Sequence, residues 1–269
     1  MGLPQPKAKK SLGQHFLRDK NISQKIVDLL RVEVGDAVME IGPGPGALTG
    51  LLEATPLRQL VLLEKDRHWA AERQRRAGPR TQAVLTDALC MPWERITPEN
   101  PWKIIGNLPY NVASPLMWDI FSRATGLVRA VFMVQKEVGE RLAAMPGSKD
   151  YGALSVWVQS FVVPQWGFTV GPRAFSPPPK VDSAVLSFTL RPREEWPRAP
   201  QGLAKLIKMC FQNRRKQLGS IFRQHGLAQG AALCEIIGIS PDRRPETLTP
   251  GDFNALQSAF AHNILDFTE

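Results

Sequence analysis

Short β-rich runs alternate with helical patterns through the first 190 residues, and this alternation limits the fold more than any other feature. Strand-like runs are Ala37–Ile41, Gln59–Leu63, Gln82–Leu85, Lys103–Gly106 and Arg129–Val134, with a later pair at Gln165–Val170 and Ser183–Leu190. Helical segments at Ala47–Ala54, Asp66–Arg76 and Ser114–Arg123 lie between the early runs. Strands that alternate with helices predict a mainly parallel sheet covered on both faces. The later pair is joined by a proline-rich loop rather than a helix, which predicts an antiparallel, hairpin-like edge. Ile22, Ile26 and Leu29 recur at helical spacing and predict an amphipathic helix ahead of the first strand. Arg191–Gln201 contains three prolines and mixed charge, so it reads as a linker. Beyond it, Gly202–Arg223, Leu227–Ile237 and Asp252–Phe260 predict helices, with breaks at Gly226, Gly238 and Pro241–Pro250. The expected organisation is an α/β domain over residues 1–190 and a small all-helical domain over residues 191–269.

Several classes are disfavoured early. No apolar run approaches the roughly 20 residues that span a bilayer. Lys7, Lys9 and Lys10 are not followed by an apolar stretch, so the N-terminus does not read as a secretory signal. Pro6 stands where myristoylation requires Ser or Thr. Cys90, Cys210 and Cys234 form neither a disulfide framework nor a zinc-binding spacing. A cytoplasmic protein without a metal is the expectation.

The formal net charge of +9 favours a polyanionic partner. That charge is clustered: the first 20 residues carry five basic groups against the single acid Asp19. Lys205, Lys208, Arg214, Arg215, Lys216 and Arg223 follow one another with no acid between them. Clusters of one sign are harder to explain as an ordinary solvated surface.

Glu40-Ile41-Gly42-Pro43-Gly44-Pro45-Gly46 stands where a buried strand gives way to a helix. Glycines there let the backbone turn tightly and approach a ligand, whose polar groups meet free amides. The spacing is ambiguous, because Gly42-x-Gly44-x-x-Ala47 also fits the dinucleotide fingerprint. Glu64 closes the second strand run, where a carboxylate can accept from both ribose hydroxyls, and Asp87 closes the third, where it can accept from an adenine amine. The plainer reading of each acid is a helix cap. Open α/β sheets bind ligands at successive strand ends, which favours a nucleotide site.

Asn107-Leu108-Pro109-Tyr110 ends the fourth run. It combines a side-chain amide, a backbone carbonyl held by the following proline, and an aromatic face. An adenine amine is a poor nucleophile because its lone pair is delocalised into the ring. Two oxygen acceptors, the Asn107 side chain and the Leu108 carbonyl, favour a pyramidal nitrogen and stabilise the positive charge that develops on alkylation. Tyr110 can stack on a base taken out of its helix. A simple turn with a half-buried tyrosine is the alternative. Phe175-Ser176-Pro177-Pro178-Pro179-Lys180-Val181 can place Phe175 on the opposite side of the base and Lys180 near phosphate, or can be a proline turn with a core phenylalanine.

These segments, with Lys10-Ser11-Leu12-Gly13-Gln14-His15-Phe16-Leu17, Glu64-Lys65-Asp66, Asp87-Ala88 and Phe175–Val185, resemble the KsgA/RsmA ribosomal RNA adenine dimethyltransferases from about residue 10 onward. The resemblance implies a Rossmann-like methyltransferase domain with S-adenosylmethionine as donor and a small helical C-terminal domain that binds RNA. It also implies dimethylation of N6 on two adjacent adenines in the 3′-terminal hairpin of 16S rRNA, in the immature small ribosomal subunit, by a monomer. The donor site implied is Gln14, His15, Leu17, Gly42, Gly44, Glu64, Asp87, Ala88 and Asn107; the catalytic residues are Asn107, Leu108, Pro109, Tyr110 and Phe175. Position 15 is often asparagine in relatives, so the contribution of His15 stays open. Erm-type enzymes that modify large-subunit rRNA and mitochondrial transcription-factor homologues are neighbouring branches. An assembly factor that works mainly by binding and a nicotinamide-dependent oxidoreductase built on the glycine loop are the readings from other classes.

Overall fold

The computed structural model describes residue 9 and residues 13–263, with side chains through residue 260. Lys7, Lys10, Ser11 and Leu12, named above, lie outside the described residues. In chain order the elements are β1 (Phe16–Leu17), α1 (Lys20–Leu30), β2 (Ala37–Ile41), α2 (Thr49–Glu53), β3 (Gln59–Glu64), α3 (Arg67–Arg76), β4 (Thr81–Leu85) and β5 (Trp102–Asn107). They continue as α4 (Ala113–Arg123), β6 (Leu127–Gln135), α5 (Lys136–Ala143), α6 (Ala153–Gln159), β7 (Val162–Val170), β8 (Phe175–Ser176) and β9 (Ser183–Leu190). The last helices are α7 (Pro200–Gln212), α8 (Leu218–Gln224), α9 (Gly230–Ile236) and α10 (Pro250–Asn263).

Seven strands form one sheet in the order β4-β3-β2-β5-β6-β9-β7. The pairs β2–β3, β2–β5, β3–β4 and β5–β6 are parallel, and β9 runs antiparallel to β6. This is the expected Rossmann-like sheet with its antiparallel edge. Every residue of β2 is buried, as are the first five of β5, the pattern of strands covered on both faces. Lys103 is the exception in chemistry: buried in β5, its ammonium is 2.7 Å from the Asp36 carboxylate and donates to the Arg31 carbonyl. Helix α1 starts at Asp19, whose side chain accepts from the Asn21 and Ile22 amides. Its Ile26, Val27 and Leu30 enter a core with Val38, Leu60, Leu62, Ile105, Val131 and Val185. In register, Ile41 lies opposite both Leu63 and Gly106. The C-terminal ends of β2, β3 and β5 therefore stand side by side.

The chain separates into two compact units, Met1–Gly139 with Pro164–Thr189, and Glu140–Val163 with Leu190–Glu269. This division differs from a single cut at residue 190, because Glu140–Val163 groups with the C-terminal helices. Helix α6 within that segment has no legible period, for a physical reason. Ser155, Val156, Trp157, Val158 and Gln159 of α6 are all buried, so the helix has no polar face to mark its period. In the second unit Trp157 packs on Phe161 and Phe161 on Trp196, with ring centroids 5.0 Å apart in each case. The expected helix Gly202–Arg223 is two helices, α7 and α8. The chain breaks at Asn213, whose amide donates to the Met209 carbonyl, just before the consecutive cations Arg214, Arg215 and Lys216. Among the described residues no helix is long and apolar enough to cross a membrane.

Candidate functional site

The glycine loop leaves β2 with Gly42, Gly44 and Gly46 at φ of 68°, 49° and 92°, values that side-chain-bearing residues rarely adopt. Space is short as well. A Cβ at residue 46 would stand 2.1 Å from an Arg73 guanidinium nitrogen, and one at residue 44 would stand 3.1 Å from the Phe16 ring. The loop is also tied from the neighbouring strand. Glu64, buried at the end of β3, accepts from the Gly44 amide at 3.0 Å on one oxygen and from the Asp66 amide at 2.8 Å on the other. Burial pushes the Glu64 carboxyl up, against the lowering effect of those two amides.

Two further acids shape the surroundings. Asp66 caps α3 through the His68 amide and receives the Lys9 ammonium at 3.0 Å and the Gln14 amide at 3.1 Å. This holds residues 13–16 along the cleft. Asp87, after β4, accepts from the Leu89 amide at 3.1 Å and pairs with Lys65 at 2.6 Å. Lys65 is exposed, so solvent screens the pair and leaves Asp87 available to another donor.

Glu40 carries the strongest carboxyl perturbation beside the loop. It is buried, the Thr49 hydroxyl donates to it at 2.7 Å, and burial pushes its carboxyl up to about 7. Between its ordinary value of 4.5 and about 7 the folded chain retains a proton that the unfolded chain has released. The stability contributed by protonated Glu40 is therefore complete below 4.5 and is lost as pH rises through 7. Glu40→Gln, which keeps an acceptor for Thr49, is expected to remove this slope. Across that window the variant should gain about 3 kcal/mol on the wild type. Thermal melts taken across the same range check it, and parallel wild-type and variant curves would contradict it.

At the end of β5, Asn107 donates its side-chain amide to the His15 carbonyl at 2.9 Å. This fixes the amide's orientation and leaves its oxygen as the group able to accept. Among the described residues no hydrogen bond is given to that oxygen or to the Leu108 carbonyl. The Leu108 amide donates to Met133, and the Pro109 carbonyl accepts from Val112 and Ala113. Tyr110 is half-buried; its hydroxyl lies 2.8 Å from Ser183 Oγ and its ring stacks against His15 at 5.7 Å and 26°. Burial pushes the phenol up, so it stays protonated at neutral pH.

One cleft is lined by Gln14, His15, Gly42, Gly44, Glu64, Asp87 and Ala88 together with all four residues Asn107–Tyr110. Leu17 and Phe175 stand elsewhere. They are opposite each other in the β1–β8 ladder, 6% and 4% exposed, and belong to the core with Ile26 and Val170. The Phe175 ring thus does not close the base side of this cleft: the pairing with β1 turns it inward, the core-phenylalanine alternative. Three residues at the site carry no sequence signal of their own: Lys65, which pairs with Asp87, Asp66, which anchors Gln14, and Ser183, which holds Tyr110. No local pattern signals such long-range partners.

The family model described as ribosomal RNA adenine dimethylase matches residues 5–262. A ribosomal RNA small subunit methyltransferase A of Nitratidesulfovibrio vulgaris (strain DP4) is 58% identical over 265 residues, covering 97% of this chain and 99% of its own. The protein of the same name from Oleidesulfovibrio alaskensis is 54% identical over 264 residues, covering 97% and 94%. The crystal structure of a dimethyladenosine transferase from Plasmodium falciparum superposes with a TM-score of 0.78 at 24% identity, over 92% of this chain and 98% of that one. At that identity the likeness speaks for the fold.

Proposed function

The chain belongs to the ribosomal RNA adenine dimethylase family, and from that premise we propose that it transfers methyl groups from S-adenosylmethionine to N6 of two adjacent adenines in the 3′-terminal hairpin of 16S rRNA. The substrate is the immature small ribosomal subunit, and the enzyme acts as a cytoplasmic monomer. One observation carries the reading: two oxygens without described partners, on Asn107 and Leu108, share a cleft with a glycine loop and the Glu64 and Asp87 carboxylates.

The donor side fits such a cofactor. Each Glu64 oxygen takes one backbone amide and keeps a lone pair for a ribose hydroxyl. Asp87 can accept from the adenine amine, and the left-handed glycines leave the strand ends bare of side chains. When bound, S-adenosylmethionine supplies an electrophilic methyl group on a sulfonium. This chain's residues do the rest. In the first transfer the Asn107 oxygen and the Leu108 carbonyl each accept one N–H of the substrate amine, which localises the nitrogen lone pair and offsets the charge that develops there; the displaced proton leaves to water, and in the second transfer one of the two oxygens accepts the single N–H that remains. Pro109 fixes the turn that presents them, and Tyr110 supplies a stacking face. Alignment contributes the remainder of the rate, and no side-chain base is required.

Mass spectrometry of rRNA from cells with and without the gene tests the proposal. Loss of N6,N6-dimethyladenine at two neighbouring positions of small-subunit rRNA is expected. Loss from large-subunit rRNA would favour the Erm-type reading, and unchanged rRNA would refute both. Titration with S-adenosylmethionine against NAD separates the oxidoreductase alternative.

The helical unit supports RNA contact through exposed Lys205, Lys208, Arg215, Lys216 and Arg223. Arg214 bonds Glu246 and the Ser148 and Lys149 carbonyls, so its charge is partly neutralised within the protein. Changing Lys208, Arg215 and Lys216 together to Ala should reduce the slope of log affinity for RNA against log salt by roughly 2 to 3. Binding of S-adenosylmethionine should not change. Filter binding across a salt series checks it, and an unaltered slope would remove these cations from the RNA surface.

A further inference from the structure

We propose that His15 is a positioning residue for the acceptor half of the site, holding Asn107 and Tyr110 in place; this rests on the methyl-transfer reading above. Three contacts converge on it. Its backbone carbonyl receives the Asn107 amide at 2.9 Å. Its ring lies nearly parallel to Tyr110, 5.7 Å between centroids. Its Nδ1 is 2.8 Å from the Pro177 carbonyl. A carbonyl oxygen only accepts, so Nδ1 carries the hydrogen and the tautomer at that nitrogen is set.

The geometry gives the histidine a role that a donor-site contact alone does not require. Asn107 cannot turn its oxygen away from the cleft while its nitrogen is bonded to residue 15. Tyr110 is held at its hydroxyl by Ser183, which is fully buried at the start of β9, and on one ring face by His15. Only the other face is left for a substrate base. Through Pro177, His15 also joins residues 13–17 to the proline loop ahead of β9. Residue 15 thus links three segments that are far apart in sequence: its backbone carbonyl orients the Asn107 amide, and its side chain joins the Tyr110 ring to the proline loop.

The stack and the hydrogen bond can be separated by substitution. His15→Asn places an N–H at the branch point corresponding to Nδ1 but has no ring. His15→Phe keeps a ring and loses the donor. His15→Ala loses both. The test measures single-turnover methylation of small subunits that lack the modification, with S-adenosylmethionine affinity determined calorimetrically on the same preparations. For His15→Ala the rate at saturating donor and subunit is expected to fall about 10- to 100-fold, with donor affinity within about threefold of wild type. The Asn and Phe variants should each recover part of that rate. They decide the matter alone if the alanine variant does not fold.

Rate and donor affinity falling together, with no partial rescue, would make His15 a donor-site residue and overturn the proposal. So would wild-type rates in all the variants. Wild-type protein that binds S-adenosylmethionine yet methylates nothing would overturn the function itself and this role with it. Normal wild-type transfer beside unimpaired variants would overturn the role of His15 only.

Discussion

Asn107→Ala is expected to lower the rate of methyl transfer about a thousandfold or more, with RNA binding largely retained. The side-chain oxygen is one of the two acceptors proposed for the adenine amine. Loss of one preorganised polar group at a charge-developing centre typically costs a hundred- to a thousandfold. Loss of a second effect adds to it, because the Asn107–His15 hydrogen bond disappears as well. The fold should survive, since Asn107 pairs with Met133 through its backbone and lies only half-buried at the strand end. Asn107→Asp offers a sharper comparison. It keeps an oxygen at the same place, but it turns the group facing the His15 carbonyl from a donor into an acceptor. That carboxylate should rotate away, so the variant should be far closer to alanine than to wild type. Quantifying methylated adenosines after a fixed reaction time measures both. Dimethylation at wild-type rates in Asn107→Ala would remove this residue from the chemistry.

How much of this was legible in the sequence depended on whether the cause was local. β2 and β9 begin and end where expected, because each is a short β-rich run, buried along most of its length and bounded by glycine, proline or charged residues. The glycine loop, Glu64, Asp87 and Asn107–Tyr110 were legible because each lies at a strand end, and parallel neighbours in register bring strand ends together. Phe175 was ambiguous for the opposite reason. Whether it faces a ligand or the core depends on its pairing with Leu17, 158 positions away in the chain, and a proline-rich loop reads the same in either case. α6 was invisible because a helix buried on all sides loses its polar stripe. Likewise nothing in Gln14-His15 foretells that the histidine ring meets Tyr110 rather than a cofactor. Long-range partnerships are set by packing, and the sequence holds them only collectively.

Glu64→Ala should weaken S-adenosylmethionine binding by roughly a hundredfold or more, with a much smaller effect on the rate at saturating donor. Two charge-assisted hydrogen bonds to a ribose, at about 1.5–3 kcal/mol each, account for a loss of that size. The carboxylate also holds the Gly44 and Asp66 amides. Its removal therefore loosens the glycine loop and, through Asp66, the contact with Gln14. Some loss of thermal stability is expected, since amides left without partners in a buried place cost about 1–3 kcal/mol each. The pH dependence distinguishes a direct ribose contact from mere support of the loop. Burial raises the Glu64 carboxyl in the unliganded protein, and an ionised carboxylate offers acceptors on both oxygens, whereas a protonated one does not. Donor affinity in the wild type should therefore rise with pH through that elevated value, with proton release on binding at the acidic end. In Glu64→Ala the rise should be absent. Calorimetric titrations from about pH 5 to 8, repeated in buffers of different ionisation enthalpy, measure affinity and proton release together. A variant that binds weakly but keeps the wild-type pH profile would show that Glu64 braces the loop without touching the donor.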